Sequence, residues 1–164
     1  MWKFIRPKLP RVYLDHAAAT PLTYEVKRVM EAVVDEHFAN PSAIHSEGVA
    51  ARQVVESARV KLARCLKVRS EHVTFTGSGT EANNLAIIGT IYARHQAGVA
   101  YEDMEIVTTS IEHPSVSEAC AFAASLGVVI KTVEVDNEGR VKLSSFEEVL
   151  SPQTVLVSLA YINS

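Results

Sequence analysis

Apolar residues recur along this chain at helical spacing in some segments and in short strand-like runs in others. Over residues 23–37, Val26, Val29, Met30 and Val33 fall three or four positions apart, the signature of one helical face. Over residues 49–66, Val54, Ala58, Leu62 and either Cys65 or Leu66 repeat the pattern and predict a long amphipathic helix. The stretch 39–48 between them reads as a loop, because Pro41 disfavours helix at Asn40 and Gly48 adds backbone freedom.

Residues 13–15 read as a short extended start, and runs rich in β-branched or apolar residues predict strands at 73–76, 105–109, 128–135 and 154–160. The last is apolar at nearly every position, which predicts burial on both faces. Helices are predicted over 81–92, 115–126 and 144–150. The last of these is opened by Ser144 or Ser145, with Glu147 or Glu148 three residues on. Asp136-Asn137-Glu138-Gly139 is a turn. Strand alternating with helix predicts an α/β fold, a mostly parallel sheet covered by helices.

Composition narrows the function classes. With 164 residues, 48% apolar and 21% charged, the chain has the balance of one globular domain. A net charge of −3, with Lys and Arg scattered, supplies no field that concentrates nucleic acid or an anionic membrane. Cys65 and Cys120 have no CxxC or zinc-ligand spacing, so no metal site is expected. Both fall in apolar helical stretches and are expected to be buried, reduced thiols. No signal peptide and no membrane-spanning run is recognised, and a cytoplasmic location is expected.

The segment richest in chemistry is Phe75-Thr76-Gly77-Ser78-Gly79-Thr80-Glu81-Ala82-Asn83-Asn84-Leu85. A strand enters a glycine-rich turn and a helix leaves it. Unpaired N–H groups and the helix dipole there favour a phosphate, with Ser78 and Thr80 adding hydroxyls. The same residues also suit a plain strand–turn–helix joint with Thr80 as N-cap. There is no Walker A lysine and no third glycine of a dinucleotide fingerprint. Next, Glu112-His113-Pro114-Ser115 sets His113 between a strand and a helix, near the same sheet edge. An imidazole there can stack on a flat ring and move protons, or simply cap the helix. The small-residue stretches 13–21 (YLDHAAATP) and Asn40-Pro41-Ser42 suit a tightly packed or ligand-facing loop.

The order YLDHAAATP, NPSAIH, FTGSGTEANNLAI, IEHPSV, VLVSLAYIN resembles the beginning of the class V aminotransferase superfamily, nearest to its cysteine desulfurase group. The likeness runs from Val12 to Ser164. It implies an incomplete fold type I large domain that binds pyridoxal 5'-phosphate over residues 23–164, preceded by an N-terminal segment 1–22. Gly79 and Thr80 would hold the cofactor phosphate, and His113 would stack on its ring and assist proton transfer. Where the family has an Asn-Asn pair, this chain has Asn163-Ser164, and the shorter Ser164 would have to meet the cofactor's phenolic oxygen.

The family's aspartate on the ring nitrogen, its Schiff-base lysine and its sulfur-accepting cysteine all fall beyond Ser164, and none of the seven lysines here matches that motif. The chain stops just after its last strand, where a site residue is expected, which suggests a fragment or truncated product. The resemblance implies a homodimer that takes sulfur from L-cysteine, leaves alanine and feeds a sulfur-acceptor protein in iron–sulfur cluster or thiolated-tRNA synthesis. This chain alone is expected to be inactive. Alternatives are a truncated, non-catalytic binding module, or part of a selenocysteine lyase or transaminase.

Overall fold

The computed structural model describes residues 12–162, so Asn163 and Ser164 lie outside the described residues. The chain falls into two compact units that divide between Thr74 and Phe75.

The first unit carries two helices. α1 (Tyr24–Glu36) begins where Thr23 Oγ1 accepts the backbone N–H of Val26. Its predicted apolar face is present but not buried: Val26, Val29 and Met30 are exposed. α2 (Ser46–Leu66) starts three residues earlier than the pattern suggests, because the His45 ring accepts the N–H of Gly48 and caps the helix. Gly48 is needed for close approach rather than freedom. A Cβ there would meet the Ala43 Cβ and carbonyl at 2.7 Å.

The buried face of α2 is also not the predicted one. Ala51 and Ala63 are buried, while Ala58, Leu62 and Leu66 are exposed. Cys65 is exposed too, contrary to expectation; two residues on from Ala63, it lies about 200° around the helix.

The second unit is the α/β layer. α3 (Gly79–Gln96), β1 (Glu105–Thr109), α4 (Pro114–Ser125), β2 (Val129–Val133), α5 (Leu143–Val149) and β3 (Thr154–Val157) follow in order. The three strands are all parallel in the order β2-β1-β3, with Ile106 opposite Ile130 and Leu156. The chain moves from β1 to β2 and then returns across β1 to β3. By the right-handed rule for parallel crossovers, two connections that run in opposite directions are expected to put α4 and α5 on opposite faces of the sheet.

The central strand β1 is buried throughout. Its Ile106, with Met104 just before the strand, packs with Ile87 and Ile91 of α3 and with Val116, Ala119, Cys120 and Ala123 of α4. At the start of β1, the Glu105 carboxylate takes an ion pair from Lys131 Nζ at 2.7 Å and a hydrogen bond from Ser151, tying together the elements on either side.

Several expectations change here. Residues 73–76 are extended at Val73 but belong to no strand among the described residues, since β-branched side chains favour an extended backbone without supplying a ladder partner. β2 ends at Val133, and Val135 instead forms an isolated antiparallel bridge with Val141 around the Asp136 turn. β3 stops at Val157 and is only partly buried, because it is an edge strand of this sheet. α5 begins at Leu143 with Lys142 as N-cap and no side-chain cap bond, so neither Ser144 nor Ser145 opens it.

Candidate functional site

The glycine-rich joint is built as a reciprocal cap. Ser78, rather than Thr80, is the N-cap of α3, and its Oγ accepts the N–H of Glu81 at 3.1 Å. The Glu81 carboxylate reaches back to the N–H of Gly77 at 2.7 Å. This variant of the capping box, closed on the residue before the N-cap, satisfies the N–H of Glu81 in the first turn and that of Gly77 ahead of the helix. The N–H groups of Gly79 and Thr80 and the Thr80 hydroxyl are left without an acceptor among the described residues. A Cβ added at Gly79 would meet nothing within 4 Å, so the backbone is open on that side. Unpaired N–H groups at the positive end of an 18-residue helix suit an anion.

His113 sits between β1 and α4, where it is the N-cap of α4. Its Nδ1 accepts the N–H of Ser115 at 3.1 Å and lies 2.8 Å from Ser115 Oγ. The Asn83 side-chain nitrogen, on α3, donates to that hydroxyl at 2.8 Å. The start of α4 is thereby joined to the early turns of α3.

Glu112 fixes the other side of the site. Its Oε1 accepts the Thr109 hydroxyl at 2.8 Å and the N–H of Ala160 at 2.7 Å, so one carboxylate clamps the segment after β1 to the segment after β3. A cavity of about 510 Å³ opens there, lined by Asn83, Glu112, His113, Pro114, Ser158 and Ala160 among others. A neighbouring cavity of about 720 Å³ is lined by Ile111, Gly139, Arg140, Leu159 and Tyr161 among others. Both are lined by segments that follow the carboxyl ends of β1 and β3, the side of the sheet on which open α/β folds place their ligands.

His113 thus lines a cavity and Asn83 joins it there, while Gly79 and Thr80 do not line that cavity. Ser164 lies outside the described residues. No lysine lines either cavity among the described residues, and none of these holds a cluster that could bind a metal. Cys120 lies on the buried face of α4, and burial together with the Glu112 charge pushes its thiol up, away from reactivity. No helix among the described residues is long and apolar enough to cross a membrane.

Sequence reasoning missed Ser115, Glu112 and the role of Asn83. The contacts that tie them across the site, Asn83 to Ser115 and Ala160 to Glu112, span 32 and 48 residues and are not legible in local sequence. The Ser78–Glu81 cap was also missed, since Thr80 was the N-cap expected there, although a Ser three residues before a Glu is a local signal that could have found it.

A parallel α/β sheet with a glycine-rich helix start and a histidine at its carboxyl edge is, in part, the architecture of the fold type I pyridoxal-phosphate enzymes. The aminotransferase class-V family matches residues 12–164, and the chain belongs to that family. It is 39% identical over 153 residues to the cysteine desulfurase IscS of Dictyoglomus turgidum, covering 93% of this chain and 38% of that relative. It is 38% identical over 156 residues to a putative cysteine desulfurase IscS 1 of Bacillus subtilis, covering 95% of this chain and 40% of the relative. Among solved structures, a NifS-like protein superposes with a TM-score of 0.84 at 33% identity, over 93% of this chain and 41% of that one. SspA in complex with cysteine gives 0.81 at 32% identity, over 92% and 42%. The chain therefore spans about two-fifths of the length of the relatives it matches.

Proposed function

We propose that this chain supplies the phosphate-holding and ring-facing part of a pyridoxal-phosphate site in a cysteine desulfurase. The observation that carries the reading is the start of α3, where the donors of Gly79 and Thr80 remain without an acceptor beside a filled capping box. Their chemistry suits the dianionic phosphate, and the 39% and 38% identities to cysteine desulfurases point to the cofactor and to L-cysteine as substrate. When bound, the cofactor supplies the electron sink that lets a bond at the substrate's α-carbon or β-carbon break.

The chain's own residues position and orient. Gly79 and Thr80 hold the phosphate through two N–H groups and a hydroxyl. His113 offers its ring to the cofactor plane and Glu112 fixes the loop that carries it, while Ser164 takes the phenolic oxygen. A homodimer and a sulfur-acceptor protein complete the reading by analogy with the relatives.

Calorimetric titration of the purified chain with pyridoxal 5'-phosphate and with unphosphorylated pyridoxal, alongside a sulfide-release assay on cysteine, tests the reading. Phosphate-dependent binding without sulfide above a no-protein control is expected. Equal affinity for the two ligands, or steady sulfide release, would overturn it.

A further inference from the structure

We infer that Asn83 and Ser115 are positioning residues that hold the His113 ring in one neutral tautomer, with its hydrogen on Nε2. The argument starts from Nδ1, which lies 3.1 Å from the backbone nitrogen of Ser115 and 2.8 Å from its hydroxyl oxygen. A backbone N–H only donates, so Nδ1 must present its lone pair. The Ser115 hydroxyl in turn receives the Asn83 amide N–H at 2.8 Å. That amide nitrogen cannot accept, so the hydroxyl hydrogen is left for Nδ1. Donation thus runs one way, from Asn83 to Ser115 to His113.

Ser115 is only 7% exposed, so water does not compete for its hydroxyl. With Nδ1 committed, Nε2 is the nitrogen left to serve the cavity that His113 lines, and it carries a hydrogen. At rest the ring therefore offers the site a donor and no lone pair, and the group that meets it must be an acceptor, an anionic or carbonyl oxygen. That functional meaning rests on the cofactor reading above; the tautomer does not.

The experiment is a long-range proton–nitrogen correlation spectrum of the full chain, labelled with nitrogen-15 histidine, without cofactor at about pH 8, where free imidazole is neutral. His113→Gln assigns the signal. The expected wild-type signature is a single Nε2–H tautomer. Ser115→Ala keeps the backbone donor but loses the hydroxyl, and should shift the tautomer ratio toward Nδ1–H about fivefold, the worth of one neutral hydrogen bond. Asn83→Asp, which cannot donate, should shift it the same way, and Ser115→Thr should restore the wild-type signature.

A wild-type Nδ1–H form or an even mixture overturns the inference. So does an unchanged ratio in a Ser115→Ala chain that keeps its circular dichroism. If Ser115→Ala does not fold, the wild-type and Ser115→Thr spectra decide. Because no cofactor is present, failure here leaves the cofactor reading intact, and failure of cofactor binding leaves this result intact.

Discussion

Replacing Gly79 with proline should remove one of the N–H groups proposed to hold the phosphate while leaving its helix standing. Gly79 is the first residue of α3, where the N–H has no intrahelical partner and the fixed φ of proline is accepted. Ser78 has φ −162° and ψ 163°, the extended conformation that a residue before proline adopts. A side chain at position 79 enters open space, since a Cβ meets nothing within 4 Å. Gly79→Ala is therefore the matched control, with a side chain added and the N–H kept.

A hydrogen bond to a charged group contributes about 1.5–3 kcal/mol, which corresponds to about 10- to 150-fold in affinity. The open side of the cradle places the effect near the lower end, about tenfold. The assay is absorbance titration of wild type, Gly79→Ala and Gly79→Pro with pyridoxal 5'-phosphate, with helicity checked by circular dichroism. A Gly79→Pro chain of wild-type helicity that binds as tightly as Gly79→Ala would refute the assignment of this N–H to the phosphate.

Other expectations concern the frame of the site. Glu112→Ala removes the acceptor of the Thr109 hydroxyl and the Ala160 N–H. Hydrogen–deuterium exchange at Ala160 should quicken by about tenfold or more, as loss of a charge-assisted bond implies, and unchanged protection would show that the clamp does nothing. Glu105 is held below the ordinary carboxylate range, first by the Lys131 ammonium and then by the Ser151 hydroxyl. Its contribution is thus complete above the ordinary carboxylate pKa and fades as pH falls through the lowered one. Urea midpoints measured across the acid range should fall less steeply in Glu105→Gln than in wild type, and parallel curves would contradict this.

How much could be read beforehand divides along physical lines. Where a signal is local, it was legible. The spacing of Val26, Val29, Met30 and Val33 gave α1, and the helix expected over 115–126 is α4 within a residue at each end. Where the outcome depends on a distant partner, it was not. The run at 73–76 has the residues of a strand, but a ladder is a property of two segments, and β3 is apolar without being enclosed because it lies at a sheet edge. Helical spacing shows that α1 and α2 are amphipathic but not which side finds a partner, and so Cys65 was misplaced.

The same holds within the site. The glycine-rich turn and His113 announce themselves by residue type. The Asn83–Ser115–His113 chain and the Glu112 clamp arise only when α3, α4 and β3 come together.

The central claim is that this chain holds the cofactor's phosphate without holding the cofactor covalently. The direct test is a titration of the purified chain with pyridoxal 5'-phosphate, followed by borohydride reduction and intact mass. Saturable binding that inorganic phosphate displaces, with no mass gain after reduction, is the predicted result. No saturable binding, or a cofactor-sized gain at a single lysine, would contradict it.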